Sequence, residues 1–181
     1  MLVVRPCTLP PESVLQRYAA AGAYTDCYAI DVPGQISHAE FVEAFYTTTV
    51  FKLERLILRY LASRPSTDAQ ASELARGELS SFAAWSAEAR SPNQLLLCDF
   101  TGRTRSWLMV ATPSDATRGT RLFFGSAVVP VRSKTGQPRL GAAFTSLLGF
   151  HKLYSRVLLW AAASRLSRGI ESPPNAHRSD A

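Results

Sequence analysis

The sequence predicts an α+β fold, with an antiparallel sheet packed on one long C-terminal helix and two short helices after the first strand. Three observations point to it. Residues 24–32 alternate between two faces as a strand does, and helical spacing follows them. Strand-like segments separated by turn signals fill residues 82–131. From Gly141 to Arg168 apolar residues recur at helical spacing almost without a break. Helices and strands segregate along the chain instead of alternating as βαβ units, which is the α+β order by the layer argument. The 181 residues suit one domain. At 46% apolar and 19% charged, the composition is not that of a disordered chain. The expected organisation is an N-terminal extension with a short helix over 1–21, one α+β domain over 22–168 and a disordered tail over 169–181.

The elements follow in order. Pro10 and Pro11 precede a short helical segment around Glu12–Tyr18, and Gly22 ends it. In strand one, Tyr24, Asp26, Tyr28, Ile30 and Val32 share one face, and Thr25, Cys27, Ala29 and Asp31 share the other. Pro33-Gly34 stops it. Ser37-His38-Ala39-Glu40 reads as a capping box opening a helix with Phe41, Ala44 and Phe45 on one face. The β-branched run Thr47-Thr48-Thr49 weakens that helix. A second helix is expected from about Val50 to Ala62, with Leu53, Leu56, Ile57, Tyr60 and Leu61 inward. Residues 66–80 are polar and Ala-rich and are expected to be a loop with at most a turn of helix. Phe82–Arg90 is a weak strand, and Gln94–Phe100 with Arg103–Thr112 form a hairpin through Thr101-Gly102. Thr120–Val131 is a further strand between a polar turn at 113–119 and a loop at 133–139. On the last helix Phe144, Leu147, Leu148, His151, Tyr154, Leu158, Ala161 and Ala162 form one apolar stripe. Phe150, Leu153, Val157 and Trp160 form a second, beside it. Such a helix packs most simply on the concave side of a sheet.

Charge and motifs exclude more than they identify. The net charge is +6, but the basic residues are scattered from Arg5 to Arg178 and not gathered into a stripe, so no nucleic-acid partner is expected. No uncharged apolar run is long enough to span a membrane. The N-terminus lacks the pattern of a signal peptide. Cys7, Cys27 and Cys98 fall in unrelated contexts without a Cys-x-x-Cys, which suits reduced thiols and a cytoplasmic location. Three dispersed histidines give no metal cluster. Glycine-rich phosphate loops, the Gly-x-Ser-x-Gly elbow and His-Glu-x-x-His are absent, so no cofactor and no metal is expected.

Three short motifs add a resemblance: Tyr24-Thr-Asp-Cys-Tyr28 on strand one, Phe123-Phe-Gly-Ser-Ala127 on the last strand and His151-x-x-Tyr154 on the last helix. With the element order, they resemble the START-like, or helix-grip, superfamily that includes polyketide cyclases and birch-pollen-allergen proteins. More narrowly, they resemble an uncharacterised bacterial family of that type. The resemblance covers roughly residues 22–168. It implies a curved antiparallel sheet wrapped around the C-terminal helix, with a cavity between them for an apolar or amphipathic small molecule. It also implies six strands after the helix pair. Only four are plain, so one or two are expected in 66–92 or 113–120.

The candidate residues follow from chemistry. His151 sits mid-helix on the apolar stripe, where an imidazole acts as a hydrogen-bond partner or as a general acid/base. Asp26 is a carboxylate on an apolar strand face, costly unless paired, and is placed to orient His151. Arg105, beside the Thr101-Gly102 turn with Asp99 and Arg103, offers a grip for a ligand carboxylate or is simply a solvated hairpin tip. Trp107 and Met109 line either a cavity or the core. Tyr24, Tyr28, Phe124 and Tyr154 complete the expected ligand wall. The first expectation is a binding module. The alternative is a cofactor-free cyclase, dehydratase or isomerase using His151 and Asp26, with Tyr154 or Arg105 polarising a carbonyl. A third reading makes Phe150, Val157 and Trp160 a dimer patch.

Overall fold

The computed structural model describes residues 1–53, 66–113, 119–132, 138–139 and 142–171. A seven-stranded, fully antiparallel curved sheet carries the fold. Its strands are β1 (Arg5–Pro6), β2 (Tyr24–Val32), β3 (Ser81–Phe82), β4 (Trp85–Ser91), β5 (Gln94–Asp99), β6 (Thr104–Ala111) and β7 (Thr120–Val128). Their spatial order is β1-β2-β7-β6-β5-β4-β3. A separate two-stranded ladder pairs β8 (Val131–Arg132) with β9 (Pro138–Arg139), and β9 falls inside the 133–139 stretch expected to be loop. Among the described residues the helices include α1 (Gln16–Ala20), α2 (His38–Tyr46), α3 (Asp68–Arg76) and the 30-residue α4 (Ala142–Glu171). The α+β class and the long helix against the sheet are as the sequence predicts: α4 packs on α2, β2 and β7.

Helix α2 begins where the capping box puts it. Ser37 Oγ accepts from the Glu40 amide at 3.2 Å, and the Glu40 carboxylate accepts from the Ser37 amide at 2.7 Å. It stops at the threonine run because those hydroxyls take backbone carbonyls: Thr47 Oγ1 donates to the Glu43 carbonyl and Thr48 Oγ1 to the Phe45 carbonyl. Thr48 Oγ1 also accepts from the Phe51 amide and so caps the helical residues 49–53. The soft joint is therefore a change of hydrogen-bond partners. Leu56, Ile57, Tyr60 and Leu61 lie outside the described residues, as do the side chains of Phe144, Leu147 and Leu148 and the tail beyond 171.

Two expectations need correcting. Residues 66–80 contain a real helix, α3. Thr67 and Gln70 form a second capping box, and Gly77, at φ +82°, closes the helix in the left-handed region. Its buried face is only Ala71, Leu74 and Ala75, too weakly apolar for periodicity to reveal. Phe82–Arg90 is not one strand but two: β3 turns into β4 within two residues, with Ala83 at φ +54°. The split adds one strand to the four read from the sequence, so among the described residues five follow the helix pair in this sheet where the resemblance implies six.

Both faces of the sheet are covered, each by its own core. The concave face holds Tyr28, Ile30, Val32, Leu95, Leu97, Leu108, Leu122 and Phe124 against α2 and α4. Aromatic packing organises its centre: Phe45 meets Phe124 at 4.8 Å, and Tyr46 meets Phe51 at 4.8 Å and Phe82 at 5.4 Å. The convex face holds Leu96, Trp107, Met109, Phe123 and Ala127 beneath residues 7–18, with Leu15 fully buried. Gly125 makes that second core possible. A Cβ there would sit 2.8 Å from the Asp26 carbonyl oxygen and 2.9 Å from Trp107. On α4, Leu158, Leu159, Ala162 and Ala163 face inward. The second stripe does not: Phe150 is 66% and Leu153 62% exposed, because the sheet covers only one side of the helix.

His38, at the start of α2, is buried with its Nε2 unpartnered. Burial lowers its pKa from 6.5 to about 4, against a hydrogen bond to the Leu108 backbone that acts the other way. The unfolded chain thus binds this proton first, and stability falls as pH drops from 6.5 towards 4. The expected loss from this residue between pH 7.5 and 4.5 is about 2–3 kcal/mol. Urea unfolding at the two pH values checks it: the loss should be smaller by that amount in His38→Gln, and an equal loss would refute the assignment.

Candidate functional site

The β2–β7 register brings Asp26 directly opposite Ser126. Both side chains point to the concave face, where α4 lays His151 over them. Asp26 Oδ1 accepts from the Ser126 amide at 3.0 Å and from Ser126 Oγ at 2.7 Å. Ser126 Oγ lies 2.8 Å from His151 Nε2, and Asp26 Oδ2 lies 3.3 Å from the same nitrogen. The Tyr24 hydroxyl reaches Asp26 Oδ2 at 3.5 Å, and burial together with that carboxylate pushes the phenol pKa upward. The Asp26 side chain is 8% exposed and the His151 side chain 25%, so the carboxylate is the inner member and the imidazole the outer one.

Proton positions follow from these contacts. An ionised carboxylate has no hydrogen to give, so the Ser126 hydroxyl donates to Asp26. Its oxygen is then an acceptor towards His151, and Nε2 must carry a hydrogen. Asp26 and Ser126 thus converge on one imidazole nitrogen. In a serine nucleophile triad the carboxylate holds Nδ1 while the hydroxyl faces Nε2. Here the serine proton belongs to the carboxylate, and Ser126 is a hydrogen-bonding anchor for the ring. The cluster orients His151.

A cavity of about 140 Å³ opens beside the cluster between sheet and helix. Phe45, Phe51, Phe124, Tyr154 and Leu158 give it apolar walls, and Ser106, Ser126 and His151 give it polar ones. Trp85 also lines it, and its Nε1–H is buried without a hydrogen-bond partner. A larger open groove, about 770 Å³, runs between the N-terminal residues, residues 47–50 and the far end of α4. Its described lining residues include no histidine, and its Arg165 donates to the Thr47 carbonyl and hydroxyl.

The predicted site residues divide by face. Asp26, Phe124, His151 and Tyr154 meet at the concave site, with Tyr24 against Asp26. Tyr28 is in the concave core, the Arg156 guanidinium 5.4 Å over its ring. Trp107 and Met109 belong to the opposite face and line no part of this cavity. Arg105 borders the cavity, but its guanidinium turns to the convex side. There it binds Glu88 at 2.7 Å and the Tyr18 hydroxyl at 2.8 Å, and Tyr18 in turn binds Glu88. Asp99 is absorbed by its own turn, accepting from the Arg103 and Thr104 amides. Ser126 and Trp85 were not foreseen. The signal for Ser126 was a hydroxyl set between Phe124 and Val128 on one face of an apolar strand.

Among the described residues no group of His, Cys, Asp and Glu could hold a metal ion, and no helix is long and apolar enough to cross a membrane. No family model, curated protein or solved structure matches the chain at a significant level.

Proposed function

We propose that the protein binds a small amphipathic molecule between its sheet and its C-terminal helix. One observation carries the reading: a cavity with aromatic walls that also carries Ser106, Ser126, His151 and Ser155, with the partnerless Trp85 Nε1–H on its lining. Buried polar groups are costly unless paired, and a ligand with a hydrogen-bonding group supplies the partner. About 140 Å³ matches one six-membered ring, since a cavity of about 150 Å³ takes up benzene. The buried part of the ligand is therefore about one ring, its polar group at His151 and its apolar part against Phe45, Phe51 and Phe124. The START-like resemblance of the three motifs supports the same reading, and free thiols suit a cytoplasmic setting.

A second reading has the 3.3 Å Asp26–His151 contact in its favour: a cofactor-free lyase or isomerase in which His151 moves a proton and Asp26 orients it. The test of the binding reading uses phenol and benzene as probes, followed by NMR titration. Phenol should bind about tenfold more tightly than benzene, the worth of one added hydrogen bond. His151→Ala should abolish that preference while leaving benzene affinity unchanged. Failure of both probes to bind at millimolar concentration would refute the reading. Turnover of a phenolic or carbonyl substrate that vanishes in His151→Ala would favour the enzyme.

A further inference from the structure

Cys7 and Cys27, which the sequence gives no reason to associate, face each other at the edge of the sheet. The register Arg5↔Ala29 and Pro6↔Tyr28 continues to Cys7 opposite Cys27, and the Cys7 amide donates to the Cys27 carbonyl at 3.0 Å. Opposed residues of an antiparallel ladder have Cα atoms about 4.5–5.5 Å apart, within the span of roughly 4.4–6.8 Å that a disulfide bridges. The two thiols share a hydrogen bond across 3.1 Å. They differ in access. Cys27 is 5% exposed in the convex core, whereas Cys7 is half-buried and lines a surface cleft of about 240 Å³ with Arg5 and Arg121.

We propose that Cys7 and Cys27 form a redox-responsive disulfide, Cys7 meeting a small disulfide oxidant in the cleft and Cys27 resolving the mixed intermediate. The electrostatics agree with those roles. The hydrogen bond shared with Cys27 holds the Cys7 thiol below its ordinary range, with burial opposing and Arg121 helping, while the same bond and burial push Cys27 up. With oxidised glutathione, the Cys7 thiolate attacks one sulfur of the oxidant, forming a Cys7–glutathione bond and expelling one glutathione thiolate. Cys27 then loses its proton and attacks Cys7 Sγ. The protein disulfide forms, and the second glutathione thiolate leaves. Two protein thiols are oxidised, one small disulfide is reduced, and the two protons end on the two glutathiones. The bond closes the chain between positions 20 apart, so it fastens the segment carrying Leu15 over the convex core.

The native protein is incubated with oxidised glutathione, alkylated with iodoacetamide and analysed by intact mass and peptide mapping. The expected product is lighter than the reduced protein by two hydrogens before alkylation. It takes up one alkyl group, and its map shows a peptide linking Cys7 to Cys27. Its Tm should exceed that of the reduced protein by roughly 5–10 °C. Cys98→Ser should behave identically with no alkyl group, and Cys7→Ser should lose both the link and the shift. The Cys98 variant carries the test by itself if Cys7→Ser does not fold. Three alkylated thiols after oxidation, or a glutathione adduct that persists on Cys7, would overturn the proposal. A linked form with unchanged Tm would overturn its fastening role.

Discussion

Trp107→Ala is expected to lower the unfolding free energy by about 3–5 kcal/mol. Trp107 is fully buried on the convex face beside Phe123, over the space that Gly125 leaves open. Its truncation loses a large apolar contact area, and the void is walled by strands that cannot collapse into it. The indole also donates to Gln94 Oε1 at 2.9 Å, and that same amide accepts from the Val14 amide and donates to the Glu12 carbonyl, each at 3.0 Å. Trp107 thus fixes the side chain on which residues 12–14 rest. Urea unfolding followed by tryptophan fluorescence measures the loss. Trp107→Phe should fall by only about 1–2 kcal/mol, the indole hydrogen bond and part of the volume. A Trp107→Ala loss below about 1 kcal/mol would mean that the N-terminal segment does not depend on this contact.

Asp26→Ala is expected to cost about 3 kcal/mol, through a different mechanism. It strands the Ser126 amide, the Ser126 hydroxyl and the His151 Nε2–H, all of which converge on this carboxylate. The amide belongs to the β2–β7 ladder and cannot turn away. The hydroxyl can, and will then donate to His151 Nε2. That reverses the tautomer of His151, so the phenol preference over benzene should fall together with stability. Ser126→Ala keeps the Asp26–His151 contact and should cost about 1 kcal/mol. Thermal unfolding with the two probes checks both variants. Equal losses from Asp26→Ala and Ser126→Ala would contradict the arrangement in which the carboxylate is the hub.

Much of the fold could be read from the chain because its strongest signals are local. The Ser37–Glu40 capping box, the Thr47–Thr49 joint, the alternation of β2 and the Thr101-Gly102 hairpin each depend on residues within a few positions of one another. Helix α3 was missed because its signal lies in its caps, Thr67 with Gln70 and then Gly77, and not in its weak apolar face. The pairing of Asp26 with His151 was legible because a lone carboxylate and a lone imidazole on apolar faces each require a partner. Ser126 was not, since nothing local gives the β2–β7 register. Nor was the placement of Trp107 and Met109. Alternation shows that they share a face, but a sheet covered on both sides makes its two faces look equally apolar.

The strand order also sets the sequence of events in folding. From β3 to β7 each strand pairs with its neighbour in the chain, so this part can zip up through successive hairpins that close short loops. The β2–β7 ladder is different: it joins Asp26 to a residue 100 positions away, and its larger closure entropy makes it a late contact. A chain that has formed only the meander already has Ser126 in place but lacks its carboxylate. The hydrogen-bonded cluster at His151 therefore forms only when β2 docks, and its appearance marks the completion of the sheet.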